Sequence, residues 1–183
     1  MKKVITILLA YIGLIFSAMY LFVPIYAIFV EQIGGTVETA GFAYALFCFA
    51  AGILIIILSK WEDKVKHRGK LLALGALLNC FAFVYYFFIT SIAELFVAQF
   101  LLGLAAAIYL PTHDAMYSEH LDKGKFASEW GDWEAVNYFM TAIAAALGGI
   151  LVSLYSFRLI FIIMACLSFL AFLISLKLVK ING

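Results

Sequence analysis

Charge is what this sequence has least of. Only 13% of its 183 residues are Asp, Glu, Lys or Arg, and 67% are apolar; ordinary soluble domains are about a quarter charged and about half apolar. That excludes a soluble globular domain. Cysteine is sparse too. Cys48, Cys80 and Cys166 stand singly inside apolar runs, with no CxxC and no His at ligand spacing. They are read as small core residues, which excludes a disulfide framework or a zinc site. No HExxH, Ser–His pair or His/Asp/Glu cluster is present, so nothing supports an enzyme, and no cofactor or metal is expected. Long polar linkers and low-complexity segments are absent as well. The net charge of +1 says nothing about partners, but the distribution of charge says a great deal.

What is there is oil in six pieces: residues 4–30, 38–59, 71–90, 92–119, 128–154 and 157–178. A spanning segment must satisfy its own backbone, so only helices and closed barrels cross a bilayer. These runs are too long and too continuously apolar for barrel strands, and each is about 20 residues or more. The expected fold is therefore all-α, a polytopic bundle of six transmembrane helices in one domain over residues 1–183. The opening MKKVITILLAYIGLIFSA resembles a signal peptide, but its apolar run continues to Val30 and is read as an uncleaved first span.

Orientation follows from the basic residues. Eleven of the twelve Lys and Arg fall at the N-terminus, the second loop, the fourth loop and the C-terminus; only Arg158 lies on the other side. The positive-inside rule then places both termini in the cytoplasm of a multi-pass protein of the inner membrane. The densest cluster is SKWEDKVKHRGK, residues 59–70, where Lys60, Lys64, Lys66, Arg68 and Lys70 surround Glu62 and Asp63. The other connections are short: a Gly-Gly turn at 31–37, Ser91, a Gly-centred turn at 121–127, and Tyr155 with Ser156.

The two prolines form an internal echo. Pro24 and Pro111 each fall about 20 residues into the first helix of a three-helix group, in MYLFVPIY and AIYLPTHD. Proline removes a backbone donor and breaks or bends a helix. Matching breaks in two halves of opposite topology are what an inverted three-plus-three repeat leaves, and they point to a binding site.

At 100° per residue, polar and small residues gather into stripes. Gly13, Ser17, Tyr20 and Pro24 share a face of the first helix. Gly41, Tyr44, Cys48, Gly52 and Ser59 share one of the second. Gln99, Gly103, Ala106, Leu110, Asp114 and Tyr117 line the fourth, with His113 at the margin. Glu134, Asn137, Thr141, Ala144 and Gly148 line the fifth. The third and sixth helices are apolar nearly all round, so they are expected to face lipid while the first, second, fourth and fifth surround something polar. Small residues alone are explained by close helix packing; Gln99, Asp114 and Asn137 are not. A carboxylate within a span is a functional candidate by default, and Asp114 beside His113 is the best proton carrier here. A structural reading stays open, in which the pair is solvated or bonded near the cytoplasmic end.

With these residues laid out, the chain resembles one half of a major facilitator superfamily transporter. The loop signature of that family is matched by Gly52, Asp63, Lys64, His67, Arg68 and Lys70, except that Lys66 stands where the family has Gly. The fourth helix resembles the family's R-F-x-x-G…P pattern, with Gln99 in place of Arg. Gly148 and Gly149 resemble its Gly-rich fifth helix, and SFRLIF, residues 156–161, the start of its sixth. The resemblance implies transport of a small solute by alternating access. It also implies two six-helix halves related by an axis along the membrane normal, so this chain is expected to pair with itself, helix two against helix five of the partner, or with a separately encoded half. Asp63 would then latch the partner's fifth helix near Ser128. The cavity would be lined by Tyr20, Gln99, His113, Asp114, Asn137 and Thr141, with proton coupling through Asp114. The competing reading is a non-transporting membrane binding or assembly protein, favoured by the substitutions at Gln99 and Lys66. A nucleic-acid partner is not expected, because topology accounts for the basic residues.

Overall fold

In a computed structural model the chain is described from residue 3 to residue 181. Lys2, counted in the orientation argument, lies outside the described residues. The helices are α1 (Lys3–Tyr20), α2 (Tyr26–Gln32), α3 (Val37–Glu62), α4 (Arg68–Tyr86), α5 (Ile92–Glu119), α6 (Phe126–Leu154) and α7 (Phe157–Ile181). A 3-10 turn, Val23–Ile25, joins α1 to α2, so the described residues hold six lengths fit to cross a membrane, of 19 to 30 residues. Even the shortest reaches about 28 Å, close to the hydrocarbon thickness of a bilayer. No strand occurs among the described residues.

Local chemistry sets the ends. Thr36 caps α3 and Ser91 caps α5, each in a reciprocal capping box, with Thr39 and Glu94 respectively. These side chains bond otherwise unpaired N–H groups of a first turn. Gly34 and Gly124 turn the chain with φ of 86° and 83°, a left-handed conformation that suits glycine. The charged segment at residues 59–70 is mostly helical. α3 extends through Glu62 and α4 begins at Arg68, leaving five residues between them and placing Lys60, Arg68 and Lys70 on helix ends, with Lys64 and Lys66 in the connection.

The packing is an open arc. α3 lies on α5, α5 on α4, α4 on α7, α7 on α1, and α1 on α6. The first three spans and the last three make matching contacts: α1 packs on α6 and α7, while α5 packs on α3 and α4. The order of burial differs from the expectation. The third span, α4, is not a lipid-facing buttress; 56% of its most apolar stretch is buried, as for α1 and α5, against 11% for α3 and α6. Small residues explain this, because Gly69, Gly75 and Ala76 bring α4 close to its neighbours. The second and fifth spans are the bare ones, with Phe42, Phe49, Ile56, Tyr138 and Phe139 about 70% exposed. Two of the cysteines are also not core residues: Cys48 and Cys166 are exposed, and only Cys80 is partly buried.

The prolines differ from one another. Pro24 sits in the 3-10 turn and ends α1, whereas Pro111 lies within an uninterrupted α5. The expected pair of matching breaks is therefore one break and one continuous helix.

Close approach is greatest at Gly148, where an added Cβ would lie 1.9 Å from the Leu21 carbonyl oxygen; at Gly149 it would meet nothing within 4 Å. Gly148→Ala is expected to destabilise the protein by about 1–3 kcal/mol, and Gly149→Ala to leave it unchanged or slightly firmer. Thermal unfolding of both variants in one mild detergent checks this; equal effects at the two positions would contradict the packing.

Candidate functional site

The proline break builds the first polar centre. By ending α1 at Tyr20, it resets the helical phase so that Phe22 and Tyr26 turn inward. Phe22 becomes a hub, its ring centroid 5.1–5.5 Å from those of Tyr26, Phe29, Tyr86 and Phe161 in edge-on contacts, the arrangement aromatic quadrupoles favour. Beside it lies a cavity of about 230 Å³ between the break, α3, α4, α5 and α7. Its walls include Met19, Phe22, Phe47, Phe83, Leu102 and Met164, and its polar groups come from Tyr26, Tyr44, Tyr86 and Gln99. Gln99 is 4% exposed and donates from Nε2 to the Tyr26 hydroxyl at 2.7 Å. The Tyr86 hydroxyl is buried with no partner in the protein, and such groups are usually satisfied. No charged side chain lines the cavity. It suits a neutral solute with an apolar or aromatic body and a hydrogen-bonding group.

A second centre lies 14 residues further along α5, about 21 Å by helical rise. His113 is fully buried, with its ring parallel to those of Tyr11 and Tyr117 at 6.1 Å and Trp133 at 6.4 Å. Its Nε2 lies 3.2 Å from the Leu8 carbonyl oxygen, and its Nδ1 lies 3.1 Å from Asp114 Oδ1. A carbonyl can only accept, so Nε2 carries a hydrogen. The Nδ1 contact is then a hydrogen bond only if a further proton sits between His113 and Asp114, on the ring or on the carboxyl. Asp114 is half-exposed, which gives that proton a way in and out.

At the basic end, α3, α4 and α5 meet. Arg68 pairs with Glu119, tying the start of α4 to the end of α5. Glu62 is 4% exposed; its Oε2 accepts from the Thr112 hydroxyl at 3.3 Å, while Oε1 has no partner. Asp63, Lys64 and Lys70 are exposed, and Asp63 borders an open cleft with Lys66, Arg68, Glu119 and His120. Among the described residues, no three His, Cys, Asp or Glu side chains are grouped to hold a metal ion.

The sequence profile of the Major Facilitator Superfamily matches residues 7–182. The chain belongs to this superfamily. It is similar also to the uncharacterized MFS-type transporter YitZ of Bacillus subtilis (strain 168), with 27% identity over 162 residues. Those residues make up 88% of this chain and 98% of that protein, so the relative is of similar length. Membership makes this chain a multi-pass membrane protein of a transporter superfamily.

Within the single chain, the residues expected to line one cavity lie in three places. Gln99 lines the aromatic cavity, His113 and Asp114 form the second centre, and Asn137 bonds to Thr141 on α6 (3.4 Å). Tyr20 is half-buried and packs edge-on against Phe16 at 6.1 Å, outside the cavity lining. Gly13, Ser17 and Tyr20 lie on the continuous α1, and only Pro24 of that stripe falls beyond the helix, in the 3-10 turn. Tyr26 and Tyr86 were missed, the first through that phase change and the second because the third helix reads as apolar. Glu62 was passed over as part of a solvated loop, although Thr112, one residue past Pro111, holds it in the bundle.

An unpartnered hydroxyl costs stability wherever it serves a ligand instead. Tyr86→Phe is expected to leave the folded protein as stable or up to about 1–3 kcal/mol more so. Thermal unfolding checks it, and a clear loss of stability would show that the hydroxyl has a structural partner.

Proposed function

We propose that two copies of this chain assemble about an axis along the membrane normal into a transporter that moves a small, neutral, amphipathic solute by alternating access, coupled to protons. The observation that carries this reading is the open arc. α3 and α6, at its two ends, leave large apolar side chains bare, while Asp114 on α5 is half-exposed and Asn137 on α6 is partly buried. A second copy set with α3 against the partner's α6 would cover those faces and enclose the polar groups, as expected for an isologous pair. The matching contacts of the first and last three spans support an inverted repeat within each copy.

The basic end, with residues 60–70, Lys123 and Lys125, faces the cytoplasm in this reading. Gly52 fits the interface, since a Cβ there would meet nothing within 4 Å in the single chain. Asp63, exposed where α3 ends, is free to approach the N-terminal end of the partner's α6, whose partial positive charge attracts a carboxylate. Arg68 is committed to Glu119 and braces the loop. The aromatic cavity with Gln99 receives the solute. His113 and Asp114 carry the proton: gaining or losing it changes the bond between α5 and the α1 carbonyl of Leu8, which couples protonation to helix packing.

Asp114→Asn separates the two roles. An amide can donate to His113 Nδ1 without any added proton, so the pair keeps its geometry and loses its carboxyl group. In liposomes given an inward proton gradient and neutral aromatic solutes, the wild type is expected to accumulate solute against its gradient. The variant should retain exchange but not accumulation. Accumulation by Asp114→Asn at the wild-type level would overturn the proton assignment, and absence of both activities in the wild type would overturn the transport reading.

A further inference from the structure

The seam between α4 and α7 holds a groove with no polar side chain in common with the polar centres, although Phe83 lines both it and the aromatic cavity. It measures about 360 Å³ and opens on the outer side of the bundle, at the end away from the basic loop. Its walls are apolar, built by Val84, Phe87, Phe88, Ile162 and Cys166 among others. Val84, Ile162 and Phe88 are 44%, 49% and 65% exposed, so the groove is a trough on the surface and not a sealed void. At its rim stands Arg158, exposed in the first turn of α7. The guanidinium carbon lies 5.5 Å from the centroid of the Phe87 ring, a cation–π distance that holds the side chain over the groove. No carboxylate pairs with Arg158 among the described residues. Cys166, eight residues on, marks a depth of about 12 Å along the helix.

We propose that this groove is a binding site for an anionic phospholipid: one acyl chain lies in the trough and the headgroup phosphate is bound by Arg158. The occupant follows from the two ends of the site. An apolar channel running inward from a membrane boundary fits hydrocarbon, and a guanidinium at its mouth fits a phosphate, which it binds with two parallel N–H donors. The position excludes the second copy as occupant, because α4 and α7 form the middle of the arc while α3 and α6 form its ends. Arg158 is also the one basic residue placed on this side of the membrane by the sequence, where topology gives no reason for a cation. The proposal does not depend on transport, and setting aside a second copy as occupant rests on the α3–α6 pairing proposed above.

The test uses the full chain purified in mild detergent with equal amounts of phosphatidylglycerol and phosphatidylcholine of identical acyl chains. Retained lipid is read by native mass spectrometry. The wild type is expected to prefer phosphatidylglycerol, Arg158→Lys to keep most of that preference, and Arg158→Gln to lose about five-fold of it. The local readout is alkylation of Cys166 by N-ethylmaleimide in a chain carrying Cys48→Ser and Cys80→Ser. Phosphatidylglycerol should slow that reaction when Arg158 is present and not when it is Gln. Unchanged preference in Arg158→Gln would assign the effect to the basic loop at the other end and overturn the proposal. Alkylation of Cys166 indifferent to phosphatidylglycerol would overturn it equally.

Discussion

Lipid tails solvate a leucine as well as a neighbouring helix does, so apolar surface alone gives these spans little reason to associate. What holds them is close approach at small residues. A Cβ added at Gly103 would lie 2.8 Å from the Phe47 carbonyl oxygen, at Gly75 2.6 Å from Tyr109, at Gly69 2.7 Å from the Val179 backbone, and at Gly148 1.9 Å from the Leu21 carbonyl oxygen. These contacts fall on α5 with α3, α4 with α5, α4 with α7, and α6 with the turn after α1. Nearly every junction of the arc is therefore pinned by a glycine. Backbones held this near fix the rotation of each helix, and that rotation decides which polar groups can meet.

The groups that do meet tie spans to one another. Tyr11 donates to the Leu72 carbonyl, Gln99 to Tyr26, and Thr112 to Glu62, while His113 reaches the Leu8 carbonyl. Three of these four bonds start from α5, the helix with the most buried residues among those described and the one that carries both polar centres. Its deep face is spent on structure, and its remaining polar atoms, at Gln99 and Asp114, reach the cavity and the open side. The same helix thus joins packing to chemistry: a change of bonding at His113 acts directly on the contact between α5 and α1. The ends of the arc carry no comparable bond across their outer faces, only exposed aromatic and branched side chains, which is the surface a second copy needs.

Much of this was legible in the sequence. Six spans, their order and most of their limits follow from the apolar runs, because the bilayer admits so few backbone solutions. Ser91 and Tyr155 mark junctions where they were expected. The failures have a common physical source. A periodic reading assumes an unbroken helix, and the 3-10 turn at Pro24 rotated everything after it, so Tyr26 was missed. Apolar composition was equated with lipid exposure for α4, although glycine and alanine in an apolar helix mean proximity to another helix. Residue spacing could not show that Gln99 and Asp114 serve separate centres, because 14 residues of one helix share a face and still span about 21 Å.

The central claim is that one chain supplies half of the working assembly. Native mass spectrometry of the protein released from mild detergent tests it most directly. The account predicts a dominant species at twice the 20.3 kDa of the single chain, dissociated by charged residues placed on the outer faces of α3 and α6. A folded single chain that persists at high concentration and carries out transport alone would contradict it.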